Sequence, residues 1–269
     1  MTQWLEICRG AVEDVRSVLA ELPTRAQREP VVGRGEGGDE TTAVDAEAER
    51  AIVARLERAH RDQGLDFTLV SEELGEQRFG DGGVRVVLDP IDGSLNAKRG
   101  IPHFSLSIAI AEGAEMRDVV FGFVYDFGSG EEWTAERGDG AFLNGVRLGE
   151  QRPKERMEIL SFEATLTRSV AEKAAAVVGT AYRLRIMGSL ALALCYLAAG
   201  RLDGVCSLKP ARSMDIAAGQ LLVRECGYAV DLPEAPPLDR APLDVGAYSR
   251  VVAAATPELC AELWSALSA

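Results

Sequence analysis

The chain has 269 residues, 47% hydrophobic and 26% charged, a balance that suits one large domain or two lobes with a sizeable core and does not suit a disordered polymer. Its formal net charge of −13 repels nucleic-acid phosphates and anionic membrane surfaces, which argues against a basic-patch nucleic-acid binder; any phosphate it handles needs local positive charge, most simply from bound metal ions. Five scattered cysteines (Cys8, Cys195, Cys206, Cys226, Cys260) form no C-x-x-C pair, and with only His60 and His103 as imidazoles they read as reduced thiols rather than a zinc site or a disulfide framework.

Along the chain, Trp4, Cys8, Ala11, Val12, Val15, Val18, Leu19 and Leu22 recur at three- and four-residue spacings and predict an amphipathic helix over 3–22. Glu6, Glu13 and Asp14 break up any signal-peptide core, and no apolar run approaches the ~18 residues of a membrane span, so a cytoplasmic protein without membrane contact is expected. The four glycines of VVGRGEGGDETT (31–42) predict a loop. Val44, Ala48, Ile52, Val53 and Leu56 then predict a second helix capped by Thr41 or Thr42, with Asp45 in its first turn and Glu47 and Glu49 on a solvated acidic face. Strand-type runs follow at 67–71, 84–89, 105–112 and 119–127, and EEWTAER and GAFLNGVRL continue them into an expected antiparallel sheet. After about residue 150 the pattern becomes α/β: YRLRI, DGVCSL, GYAVDL and RVVAAA alternate with helical stretches near 167–178, 189–199, 215–226 and 257–267. PEAPPLDRAPLD (233–244) reads as a surface loop. Two lobes, 1–150 and 151–269, are the expected organisation.

The chemistry concentrates where strands end in acids. VRVVLDPIDGS runs an apolar strand into Asp89, Pro90, Ile91, Asp92, Gly93 and Ser94, so two carboxylates and the Ile91 carbonyl can converge on a hard cation, although an Asp-Pro turn with a capping Asp92 fits as well. FTLVSEE brings Glu72 and Glu73 to another strand end. Asp215 opens an apolar helix, where capping is its plain role.

Taken in order, GDETTAVDAEAE (38–49), VSEE (70–73), LDPIDGSLN (88–96), the hairpin region 122–145, MGSLALA (187–193) and MDIAAG (214–219) resemble the inositol monophosphatase superfamily, which includes archaeal-type fructose-1,6-bisphosphatases. The resemblance implies a layered αβαβα sandwich, α+β in its first half and α/β in its second, assembled as a homodimer with the active site between the lobes. It implies two or three Mg²⁺ ions held by Glu72, Asp89, the Ile91 carbonyl, Asp92 and Asp215, with Asp39 helping to recruit the most weakly held one. Asp45 and Ser94 would orient and deprotonate the attacking water, together with Glu72, while Glu73 would support the ligands from behind. The family usually carries threonine where Ser94 stands, and the hydroxyl is retained. Backbone at Gly93 and Ser94 would hold phosphate oxygens, with Gly188, Ser189 and Arg212 lining the substrate.

A small phosphorylated polyol or sugar, first inositol monophosphate, is the expected substrate. Inositol-specific members, however, carry a carboxylate about seven residues before the helix acid, where this chain has Ser207 and Leu208. Lys209 and Arg212, with Arg183 and Arg185, suit the second phosphate of fructose-1,6-bisphosphate or else are surface or dimer-interface charges. A 3′-phosphoadenosine phosphate phosphatase and a catalytically silent binding subunit are the remaining alternatives.

Overall fold

Amphipathic spacing in the first twenty residues produces helix α1 (Thr2–Glu21), whose stripe from Trp4 to Val18 is buried, followed by a single turn, α2 (Arg25–Arg28). The computed structural model describes residues 2–38, 40–154, 156–163, 166–234 and 236–268. Where a loop was expected, the chain forms a hairpin of β1 (Val31–Arg34) and β2 (Glu40–Thr42). All four residues of β1 are exposed, so no alternation of burial marks it in the sequence. Thr42 then caps α3 (Ala43–Gln63), and Asp45 accepts hydrogen bonds from the Thr42 N–H and hydroxyl.

Strands β3 (Phe67–Ser71), β4 (Gly75–Phe79) and β5 (Val84–Asp92) precede the short helix α4 (Ser94–Arg99). Strands β6 (Ser105–Ala111), β7 (Val119–Asp126), β8 (Glu132–Glu136), β9 (Gly140–Leu143) and β10 (Val146–Arg147) complete an eight-stranded sheet in the order β10-β9-β8-β7-β6-β5-β3-β4. It departs from the all-antiparallel expectation at one place: β3 and β5 run parallel, with Ser71 beside Leu88. The intervening strand β4, short and polar, is what allows it, and the parallel pair brings two acidic strand ends to one sheet edge.

The second sheet is mixed, ordered β12-β11-β13-β17-β15, and is built from β11 (Met157–Glu163), β12 (Ala181–Arg185), β13 (Gly204–Ser207), β15 (Ala229–Asp231) and β17 (Val252–Ala254). Its helices are α5 (Thr167–Ala174), α6 (Leu190–Ala198), α7 (Ser213–Glu225) and α8 (Pro257–Ser268), and a small ladder pairs β14 (Ala211–Arg212) with β16 (Tyr248–Ser249).

Period-two alternation sorts the strands' side chains into layers. Leu69, Val86, Leu88, Ile108 and Phe123 pack under α1 and α3. Their neighbours Val70, Val87, Ala109 and Val124 face α6 and α7, whose other side meets Val205 and Ala253 of the second sheet. Leu160, Phe162, Cys206 and Val252 point outward to Cys260 and Leu263 of α8. The result is the five-layer αβαβα order. Gly122 permits a close approach within it: a β-carbon there would lie 2.9 Å from the Ala218 carbonyl of α7. The cysteines of the described residues are free, and Cys8, Cys195, Cys206 and Cys260 are buried.

Candidate active site

Asp89 and Asp92 are three residues apart, so in a regular strand they would face opposite sides of the sheet. Strand β5 carries a bulge: Asp89 pairs with Ser107 and Asp92 with Ser105, three steps against two. The extra residue inverts the alternation after it. Ile91 therefore joins the cluster under α1 and α3, whereas Asp92 turns toward α6, the side that Val87 already faces. Pro90, which has no N–H to donate, fits the interrupted ladder. Asp92 accepts from Ser189 Oγ and from the Ala191 N–H at 2.8 Å, in the first turn of α6. Asp89 accepts from the Ile91 N–H at 3.0 Å. Asp215, in the first turn of α7, accepts from the Arg212 N–H at 2.9 Å.

One carboxylate oxygen each from Asp89, Asp92 and Asp215 lies within 4.8 Å of the other two. At that spacing and an effective dielectric near 20, each ionised pair repels by about 3.5 kcal/mol, so three ionised groups oppose folding by roughly 10 kcal/mol. A domain's net stability is of that size, about 5–15 kcal/mol. Burial first, and then this mutual repulsion, push the pKa values of Asp89 and Asp92 above the usual carboxylate range; Asp215 is also raised, by burial.

Glu72 joins from the neighbouring strand. It continues the parity of Val70 on β3 and meets Arg212, with which it forms an ion pair. Around these groups is a cleft of about 320 Å³ lined by five carboxylates (Glu72, Asp89, Asp92, Glu163, Asp215) against two cations, Lys209 and Arg212, and by the opening residues of α4, α6 and α7. Helix N-termini favour anions, and the imbalance of fixed charge favours a cation. The donor set consists entirely of hard oxygen groups, which fits Mg²⁺, Mn²⁺ or Ca²⁺ and not zinc or copper. Asp45 supplies a further sign: it is buried, and its Oδ1 has no hydrogen-bond partner among the described residues. Burial raises its pKa, opposed chiefly by the bonds from Thr42.

The other predicted residues fall as follows. The Ile91 carbonyl accepts from Ser94 Oγ at 3.0 Å. Gly93, at φ +96°, lines the cleft, and a β-carbon there would lie 3.0 Å from the Gly188 carbonyl, so both the turn and the packing require glycine. Gly188 lines the cleft, whereas Ser189 is buried behind it, capping α6 through the Leu192 N–H. Asp39 lies outside the described residues. Glu73 accepts from Thr41 on the far side of the sheet edge.

Several expectations are corrected. Arg212 is no surface charge: it is 8% exposed, whereas Lys209, Arg183 and Arg185 are exposed, the last two on the edge strand β12. Glu49, expected on a solvated face, is 2% exposed and accepts from Ser71 Oγ. Its position continues Asp45, Ala48, Ile52 and Val53, so the helical period placed it on the buried stripe. Glu163 was not singled out. It accepts from Ser161 Oγ at 2.7 Å and the Gly188 N–H at 2.9 Å, and burial pushes its pKa up to about 7. The signal was the one read at 72 and 89, an acid closing an apolar strand, here MEILSFE.

A family model described as the inositol monophosphatase family matches residues 3–268. A Thermococcus kodakarensis protein named fructose-1,6-bisphosphatase/inositol-1-monophosphatase is 36% identical over 228 residues, 84% of this chain and 83% of that one. A Pasteurella multocida protein named Nus factor SuhB is 37% identical over 198 residues, 71% of each. Among solved structures, a Pyrococcus horikoshii protein described as having similarities to inositol-1 monophosphatase superposes with a TM-score of 0.82 at 27% identity, covering 98% of both chains.

Proposed function

The chain belongs to the inositol monophosphatase family and is a phosphatase, and from that premise we propose that it is a Mg²⁺-dependent phosphomonoesterase acting on a small phosphorylated polyol or sugar, inositol monophosphate first and fructose-1,6-bisphosphate second. The observation that carries the metal dependence is the β5 bulge, which turns Asp89 and Asp92 together toward Asp215 in a cleft of five carboxylates and two cations. Asp89, Asp92, Asp215, Glu72 and the Ile91 carbonyl would hold the ions, with Asp39 as a further donor. Bound there, Mg²⁺ would supply the Lewis acidity of phosphoryl transfer and the positive charge the cleft lacks.

In the hydrolysis, a water oxygen bonds to phosphorus as the ester P–O bond breaks, and the leaving oxygen takes a proton from solvent to depart as the alcohol. The unpartnered Oδ1 of Asp45 is the acceptor for the water's proton, and the Ser94 hydroxyl orients that water. Backbone at Gly93–Ser94 and Gly188 borders the phosphate, where Gly93 leaves room for close approach.

Substrate choice rests on the cleft's far wall. Ser207 Oγ accepts from the Val251 N–H at 2.7 Å, so it is no substitute for the hydroxyl-binding carboxylate of inositol-specific members. Glu163, lining the same cleft, offers such an acceptor and supports inositol monophosphate; Lys209 supports a second phosphate. A cytoplasmic homodimer completes the reading. Val178, Tyr182 and Ile186, exposed on and beside the edge strand β12, support the dimer, and no helix of the described residues is long and apolar enough to cross a membrane.

Phosphate release with and without Mg²⁺, from inositol-1-phosphate, fructose-1,6-bisphosphate and 3′-phosphoadenosine phosphate, tests the proposal. Mg²⁺-dependent release is expected, fastest from the first. Release from none of the three would overturn the substrate assignment and move the reading toward a binding role, as the Nus factor name of one relative would suggest.

A further inference from the structure

We infer that Tyr248 is a positioning residue for this cleft, acting through Arg212 to fix the wall that carries Glu72; the inference rests on the cleft being the phosphatase site. Arg212 and Tyr248 are register partners in the β14–β16 ladder, so strand pairing alone sets the ring beside the guanidinium, whose carbon lies 5.8 Å from the ring centre. From there the Tyr248 hydroxyl accepts from Arg212 Nε at 3.3 Å and donates to the Gly37 carbonyl at 2.7 Å. Arg212 Nη2 donates to the same carbonyl at 3.2 Å, and Nη1 reaches Glu72.

The turn so held is tied to the same wall by its main chain. The Gly37 N–H donates to the Glu72 carbonyl and the Glu36 N–H to the Glu73 carbonyl, each at 3.1 Å. Gly37 packs directly on the guanidinium, since a β-carbon there would lie 2.9 Å from Arg212 Nε. Three elements far apart in sequence, the Gly35–Gly38 turn, the end of β3 and the β14–β16 ladder, thus meet at one hydroxyl.

A guanidinium is a planar fork, and its orientation is set by acceptors on more than one edge. Among the described residues, Tyr248 supplies an acceptor on the Nε edge, while Glu72 and Gly37 accept from the other two nitrogens. Removing the hydroxyl deprives Nε of this acceptor and the Gly37 carbonyl of its shorter bond. Arg212 then swings more freely beside the substrate, and the turn loses an anchor. Tyr248 is itself 46% exposed, so replacing it with phenylalanine removes these bonds without hollowing a core.

The test uses Tyr248→Phe in the full chain. Amide exchange at residues 35–38, measured on the protein without substrate or added metal, is expected to quicken at least threefold. With the best phosphoester, KM should rise threefold to tenfold while kcat stays within twofold and the melting temperature is unchanged. Because the effect passes through Arg212, Tyr248→Phe should leave KM unaltered in an Arg212→Lys background. Gly37→Ala, whose methyl group would press on the same guanidinium at a backbone angle alanine tolerates, should raise KM in the same way. Unchanged exchange at 35–38, an unchanged KM, or a full KM effect persisting beside Arg212→Lys each overturns the inference. A wild-type chain that releases no phosphate would overturn the reading of the cleft, while the exchange measurement would still decide whether the hydroxyl holds the turn.

Discussion

Asp203 and the cleft acids are both buried carboxylates, but they are buried on opposite terms. Asp203, between α6 and β13, accepts from the main-chain N–H groups of Lys154 at 2.7 Å, Glu158 at 2.9 Å and Ile159 at 3.1 Å, so hydrogen bonds replace the water it left. Asp89, Asp92 and Asp215 have bonds too, yet each also faces the other two within 4.8 Å. The first arrangement stabilises the fold by itself. The second calls for a cation to offset its repulsion, and the difference supports the proposal that the cleft is a site of chemistry rather than of architecture.

The comparison is most exposed to failure at Asp92. Asp92→Asn should lower kcat/KM at least 100-fold, about 2.7 kcal/mol or more of transition-state stabilisation. Because one like charge is removed from the cluster, its melting temperature in chelator should equal or exceed that of the wild type. A folded variant with undiminished phosphate release would remove Asp92 from the ligand set, and a large loss of stability in chelator would make it a structural acid like Asp203.

The converse change belongs to Asp203. Asp203→Ala leaves three partly buried N–H groups without their acceptor and should cost about 2–4 kcal/mol of stability in denaturant titrations. Its kcat at a temperature where it remains folded should match the wild type. Loss of activity without loss of stability would mean that this region communicates with the cleft.

Much of this contrast was legible in the sequence, because the motifs state which acids close apolar strands. Through the family resemblance, LDPIDGS and MDIAAG named the acids that the structure brings together, and the strand and helix periods placed most elements of both sheets. What the residues did not state was facing. Asp89 and Asp92 share a face only because of the bulge between them, and a bulge is a property of two paired strands, visible in neither alone. The β3–β5 parallel pairing was hidden for a similar reason: the polar strand β4 between them gave no apolar pattern to count. Tyr248 was invisible because its partners are a main-chain carbonyl 211 residues away and an arginine in another strand. Glu49 was different, since its helical position was readable and the acidic composition around it outweighed the period.

Glu49 also supplies the most graded prediction, because it stands between the two cases: 2% exposed, bonded to Ser71, but with few donors for a full negative charge. Burial pushes its pKa up to about 7, with Glu73 and Asp45 adding repulsion and the Leu74 N–H opposing. A carboxylate raised in the folded state binds its proton more tightly there than in the unfolded chain. Its contribution to stability is therefore complete below about pH 4.3, the ordinary glutamate value, and is lost as the pH rises through about 7. At about 1.4 kcal/mol for each pH unit between those limits, the loss is of order 3–4 kcal/mol. Glu49→Gln keeps the shape and cannot ionise, so its stability relative to the wild type should climb by that amount between pH 4.5 and 7 and then level off. Denaturant titrations at half-unit pH steps give the curve directly. Parallel stability curves for the two proteins would mean that Glu49 is ionised in the fold at all these pH values, held as Asp203 is by donors sufficient for its charge.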